Sequence, residues 1–304
     1  MADWGMQIRL PDGAVRGGIG ANAYPVVFNT GQVILGWTAM YRHTREQRYL
    51  DAACRAADWL VSIQDDDGKW SRHTFNSIPH AYHSRVAWPV LDLYTITRDQ
   101  RYRHSAEANI RWVLSLAEPN GWIREMAFKR GEQPFAHTIA YTLRGLFECA
   151  RLGEGDWVGQ TDRVVLDACE RVLTRYECRK TDPRAMPKYL QGRFDENWRS
   201  QDRWSCLTGD VQFAIIFLRL FEHNGDPRFL NAALKFIDQV KATQSLGALN
   251  PGIRGAVGGS YPIWGTYTRF GFPNWAAKFL VDAMLLAGSA LDRLRRETVS
   301  CVVS

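Results

Sequence analysis

The chain has 304 residues, 46% hydrophobic and 23% charged, a balance ordinary for a globular protein with a sizeable core. Its net charge of +6 is spread thinly, and the densest basic stretches, Arg42-His43-Thr44-Arg45 and Arg293-Leu-Arg-Arg296, fall at expected helix ends, where cations complement the helix dipole. That pattern excludes a nucleic-acid partner and leaves a diffuse preference for an acidic substrate. No run of about 18 apolar residues offers a membrane span, and the amino terminus is too polar for a signal peptide, so a cytoplasmic location is expected.

In chain order, the first glycine cluster, Gly17-Gly18-Ile19-Gly20, lacks the strand–turn–helix context of a phosphate loop and reads as a turn. Five helices are then predicted to be apolar on nearly every face, over 29–43, 82–97, 137–152, 208–223 and 274–290. A helix of that kind is buried on all sides. Four amphipathic helices alternate with them, over 46–64, 99–117, 158–176 and 226–244. Two long connections interrupt the rhythm. One runs over 177–207 with Pro183, Pro187, Gly192 and Trp198; the other over 245–273 with Gly255, Gly258, Gly259, Tyr261, Trp264 and Tyr267. Long structured loops inside a compact domain tend to be functional, and these aromatics suggest loops packed over a cavity. Cys54, Cys149, Cys169, Cys178, Cys206 and Cys301 show neither CxxC pairing nor metal-ligand spacing, so neither a metal nor a cofactor is expected.

The organising signal is an internal repeat. Tyr41, Tyr94 and Phe221 are each followed eight residues later by Tyr49, Tyr102 and Phe229, inside Arg45-Glu-Gln-Arg-Tyr49, Arg98-Asp-Gln-Arg-Tyr102 and Gly225-Asp-Pro-Arg-Phe229. Trp59 and Trp112 recur at a further fixed offset, as do Gln64 and Gln244, and two copies close with Gly68-Lys-Trp70 and Asn120-Gly-Trp122. Each copy reads as helix, polar turn, helix, glycine-containing loop. An inner ring of buried helices wrapped by an outer ring satisfies both helix types. The expected fold is therefore all-α, an α/α toroid of about five to six helix pairs, in a single domain over 1–304.

The segment from Trp59 to Trp70 is similar to the QW repeat of the squalene and oxidosqualene cyclases, a structural clasp in which Gln caps a helix end and stacks on a Trp. Gln64 and Trp70 match it, while the second copy has Ala117 in the Gln position. Over 80–278 the chain resembles bacterial exopolysaccharide-biosynthesis proteins built from prenyltransferase/squalene-oxidase-like repeats. The matching stretches begin at His80, His137, Cys206 and Ser260. That resemblance implies a carbohydrate context.

The repeat register also predicts a polar ring. Gln32, Arg85 and Gln212 stand at equivalent positions of their inner helices, with Tyr141 and Lys278 added by a looser alignment, and His83, His137, Thr208 and Asn274 on the rim. Thr208 and Asn274 also suit helix N-caps. Convergent polar groups over aromatic side chains (Trp37, Trp88, Phe217, Trp275), with Trp264 from the second long loop, make a ligand pocket. Burying such groups without partners is costly. The expected ligand is a carbohydrate, in particular an anionic glycan. Proton transfer by His83, His137 and Tyr141, with Arg85 and Lys278 on a uronate carboxylate, fits a lyase or epimerase. Asp210, with Glu125, Asp195 or Glu196 as a second carboxylate, fits a hydrolase instead. A terpene cyclase-like isoprenoid enzyme and a non-catalytic glycan-binding protein are the alternatives. The first conflicts with so polar a ring, and Asp65-Asp66-Asp67 reads as a solvated turn.

Overall fold

The computed structural model describes residues 2–17, 24–178 and 189–303. Gly18 and Gly20 of the first glycine cluster, and Pro183 and Pro187 of the first long connection, lie outside the described residues. The chain divides into two compact units, residues 1–132 with 141–168, and 133–140 with 169–304.

In the first unit the short α1 (Ala2–Gln7) lies against α2 (Val27–Thr44), which pairs with α3 (Gln47–Ser62) and packs on α4 (Ser84–Thr97). α4 in turn pairs with α5 (Gln100–Ser115). α6 (Ala136–Leu152) and α7 (Asp156–Cys178) contribute residues to both units. In the second unit α8 (Leu207–Asn224) pairs with α9 (Pro227–Lys241), and α10 (Asn274–Val303) packs on both. The strands are two-residue fragments: β1 (Arg16–Gly17) with β2 (Tyr24–Pro25), and β3 (Ser205–Cys206) with β4 (Ser260–Tyr261). The predicted helices are all present. α10 runs well past its predicted end, and no outer helix follows it among the described residues.

The burial pattern explains the two helix types. α8 is buried at every position from Leu207 to Leu218, whereas α3 buries only Tyr49, Ala52, Ala53, Ala56, Ala57, Trp59 and Leu60, one stripe at helical spacing.

The repeat is the turn that joins each pair. Arg45, Arg98 and Gly225 take left-handed conformations with φ of 62°, 61° and 74°, and their N–H groups donate to the carbonyls of Tyr41, Tyr94 and Phe221. These carbonyls belong to the reference residues of the repeat, and the bond is a helix-ending αL motif. The next residue is acidic and starts the following helix. Asp99 and Asp226 each accept the backbone N–H two residues on, at 2.9 Å, while Glu46 pairs with Arg48. The constant spacing to Tyr49, Tyr102 and Phe229 then buries an aromatic ring at the start of each outer helix.

At the far end of α3, Gln64 Nε2 donates to the carbonyls of Gly68 (2.7 Å) and Ser105 (2.9 Å), tying this turn to α5. Asn109 of α5 donates to the same Gly68 carbonyl at 3.0 Å. Gly68 itself has φ 88°, and a Cβ there would lie 2.3 Å from the Ala108 carbonyl oxygen. Trp70 is fully buried and donates from Nε1 to the Leu60 carbonyl at 2.9 Å. Trp70→Ala should therefore cost about 3–5 kcal/mol, read as a fall in melting temperature; an unchanged melting temperature would show that this closure does not hold the pair.

Candidate active site

The inner helices cross closely where they carry polar groups. A Cβ on Gly145 would stand 2.3 Å from the Ser84 carbonyl carbon, and one on Gly209 would stand 2.7 Å from the His137 nitrogen. Only glycine permits either contact, and each places a polar residue of one helix against the backbone of its neighbour.

In the first unit the key residue is Pro89, inside α4. Proline has no N–H, so the carbonyl four residues earlier, that of Arg85, loses its helical partner. Gln32 Nε2 donates to that carbonyl at 3.0 Å, and Arg85 Nη2 donates back to Gln32 Oε1 at 3.0 Å. The Arg85 guanidinium lies over the rings of Trp88 (4.9 Å) and Tyr141 (5.3 Å). Gln32, Arg85, Trp88 and Tyr141 thus come together, with Phe28 5.0 Å from the Tyr141 ring. Burial pushes the Tyr141 phenol up to about 12, against the opposing charge of Arg85. His83 has a different fate. It is enclosed edge-on to Trp70 and His80, and burial holds its imidazole well below the usual range, which favours the neutral ring.

In the second unit the amide of Gln212 meets His137 Nδ1 at 2.8 Å. Donation from the amide leaves the imidazole proton on Nε2. The ring of Tyr267 lies 5.0 Å from His137, and its hydroxyl accepts from Trp275 Nε1 at 2.9 Å. Asp210, in the first turn of α8, is 1% exposed. Ser205 of β3 donates to its Oδ2 at 2.6 Å, and its Oδ1 has no partner among the described residues. Burial pushes this carboxyl up to about 8, the Ser205 hydrogen bond pulling weakly the other way.

Other expectations are corrected. Lys278 is exposed, its side chain at 57%, and its ammonium pairs with Asp282 at 2.6 Å one helical turn on, so it is not part of a buried ring. Asn274, Trp264 (46%) and Trp275 (43%) are likewise exposed, because α10 and the loop before it present one face to solvent. Thr208 lies inside α8, whose N-cap is Cys206, and its buried hydroxyl caps nothing. Trp37 and Phe217 are core residues. Glu125 and Glu196 are exposed, and Asp195 is used by its own turn, accepting from the Asn197 and Arg199 backbones at 3.0 and 2.7 Å. Sequence reasoning missed Ser205 and Tyr189, whose ring lies 4.6 Å from that of Tyr261. Ser205 bonds Asp210 directly, and the β3–β4 pairing sets Tyr261, with Tyr189 against it, opposite Ser205, a connection invisible in two-residue strands. No group of three or more His, Cys, Asp or Glu among the described residues could hold a metal ion. Among the described residues, no helix is long and apolar enough to cross a membrane.

Residues 20–173, just over half of the chain, match the Beta-AFase-like family, described as Beta-L-arabinofuranosidase, GH127 catalytic domain. The chain belongs to that family. A search of curated proteins finds no match. Among solved structures, cellobiose 2-epimerase from Bacillus thermoamylovorans B4167 superposes with a TM-score of 0.64 at 12% identity, covering 85% of this chain and 71% of its own. An unsaturated glucuronyl hydrolase specific for heparin gives 0.64 at 11%, covering 95% and 75%. A polysaccharide lyase gives 0.62 at 14%, covering 94% and 78%. Likeness at these identities is one of fold, and the fold is the α/α toroid. Family and fold together make this a carbohydrate-active enzyme.

Two outcomes test the two polar clusters. Gln32→Leu should cost about 1–3 kcal/mol by removing the amide that bonds both the Arg85 carbonyl and its guanidinium. Pro89→Ala should recover part of that loss in the Gln32→Leu background, because alanine at that position restores the helical N–H; a purely additive double-mutant cycle would refute the link. For Asp210, the folded protein keeps a proton that the unfolded chain releases near pH 4. The stability it contributes is complete below pH 4 and is lost as pH rises towards 8. Chemical denaturation should show wild type losing up to about 1.4 kcal/mol per pH unit across that window relative to Asp210→Asn, and parallel curves would remove the shifted carboxyl from the account.

Proposed function

We propose that this protein cleaves glycosidic bonds by acid catalysis, with Asp210 as the proton donor. The observation that carries the reading is a buried carboxyl pushed up to about 8, with one oxygen fixed by Ser205 and the other unpaired among the described residues. At neutral pH that group is a carboxylic acid. It can protonate the glycosidic oxygen as the bond to the anomeric carbon breaks, after which water adds at that carbon. A glycan-binding protein without catalysis has no use for an acid so displaced, which favours an enzyme.

The lyase or epimerase reading needs a base at neutral pH. His137 holds its proton on Nε2 when Gln212 donates to Nδ1, and the Tyr141 phenol at about 12 is protonated, so neither supplies one. The family membership also supports hydrolysis, although its matched span ends at residue 173, before Asp210. The likeness to exopolysaccharide-biosynthesis proteins and the net charge of +6 support an acidic glycan as substrate.

A panel of 4-nitrophenyl glycosides, including the β-L-arabinofuranoside, α-mannoside, β-glucoside and β-glucuronide, tests this. The expected result is turnover that falls about tenfold per pH unit above roughly pH 8 and drops about 10²–10⁴-fold in Asp210→Asn. The glucuronide should be preferred to the glucoside. Full activity in Asp210→Asn would overturn the assignment.

A further inference from the structure

We propose that Tyr189 and Tyr261 form a sugar-stacking platform beside Asp210, a substrate subsite that holds the apolar face of one sugar ring while the acid acts on the bond next to it. The proposal rests on the reading of Asp210 as proton donor.

The placement follows from the β3–β4 pair. Ser205 and Tyr261 are directly opposite one another in its antiparallel register. Residues directly opposite project from the same face of a strand pair, so the tyrosine ring stands on the side from which Ser205 reaches Asp210. The Ser205 hydroxyl spans the remaining gap, donating to Asp210 Oδ2 at 2.6 Å. The Tyr189 ring packs on Tyr261 with centroids 4.6 Å apart and planes inclined by 38°. Burial and the neighbouring charges of Tyr261 and Asp210 all raise the Tyr189 phenol, as expected for a hydroxyl near that carboxyl.

Tyr261 is nevertheless 40% exposed, and Tyr189 is half-buried. Two tyrosines in mutual contact, each partly open to solvent, are not a core. An aromatic ring with one open face and a polar rim complements a sugar, whose C–H groups form an apolar face edged by hydroxyls. The class of ligand is therefore an oligosaccharide, bound through one ring's apolar face.

Isothermal titration with cellobiose, α-1,6-mannotriose and digalacturonate as probes, on wild type and on Asp210→Asn, separates this from the catalytic assignment. At least one probe should bind both proteins equally. Tyr261→Ala should weaken that binding about tenfold, and Tyr261→Trp should restore it. With the fastest 4-nitrophenyl glycoside of the panel, Tyr261→Ala should raise KM and leave kcat within about twofold. Equal binding by Tyr261→Ala and wild type, or no binding of any probe to wild type, would overturn the platform. If Asp210→Asn turns over normally while Tyr261→Ala still loses binding, the acid assignment fails and the subsite stands. Tyr261→Phe, which keeps the ring, guards against misfolding as an explanation: it should bind like wild type, and a tenfold loss there too would also overturn the stacking role.

Discussion

Helices buried on every side leave their polar groups no water to turn to, and the chemistry of this chain follows from how each such group is satisfied. α4 shows the constraint most plainly. Pro89 leaves the Arg85 carbonyl without its helical donor, and an unpaired buried carbonyl costs about 1–3 kcal/mol. Gln32 of α2 removes that cost with one end of its amide and holds the Arg85 side chain with the other. A backbone defect in one helix thereby dictates the residue type on its neighbour. It also fixes a guanidinium against Trp88 and Tyr141. α2 and α4 are close enough for this: a Cβ on Gly31 would stand 2.9 Å from the Val86 side chain.

The scaffold was legible in the sequence because its signals are local. The αL turn, the acidic residue after it and the buried aromatic of the next helix lie within nine residues of each other, so their spacing survives as a repeat. Helix types were equally plain, since all-round and one-sided burial leave different apolar patterns. The register also carried Gln32, Arg85 and Tyr141 to one cluster. It failed at α10, where Asn274 and Lys278 point to solvent, because the repeat aligns positions along a helix and says nothing of which face has a neighbour. Val281, Met284 and Leu285 are exposed on the same helix, so apolar composition overstated its burial. His83 misled for a related reason: a histidine beginning an inner helix looks available, yet Trp70 and His80 close around it.

What no sequence pattern could show was the environment of Asp210. Ser205 reaches the carboxyl from five residues away, while Tyr261, brought beside Ser205 by the β3–β4 pairing, comes from more than fifty residues away. The two long loops were marked as functional by their length and aromatic content, while the pairing that gives them a role is tertiary.

The protonation of Asp210 is itself a contest that magnitudes decide. Its place in the first turn of α8 favours the carboxylate, because the helix N-terminus offers partial positive charge worth about 0.3–1 kcal/mol. Ser205 adds one hydrogen bond to the charged form, worth roughly 1 kcal/mol. Together these come to at most about one and a half pKa units. Burial acts the other way and wins, leaving the group near 8 rather than in the usual carboxylate range. The helix dipole and the serine therefore do not ionise the acid; they orient it, with Oδ2 held and Oδ1 turned to no partner among the described residues. A carboxyl fixed in direction and kept neutral at physiological pH gives up a proton and does not take one. That is the physical ground on which we propose acid-assisted cleavage of a glycosidic bond over abstraction of a proton from carbon.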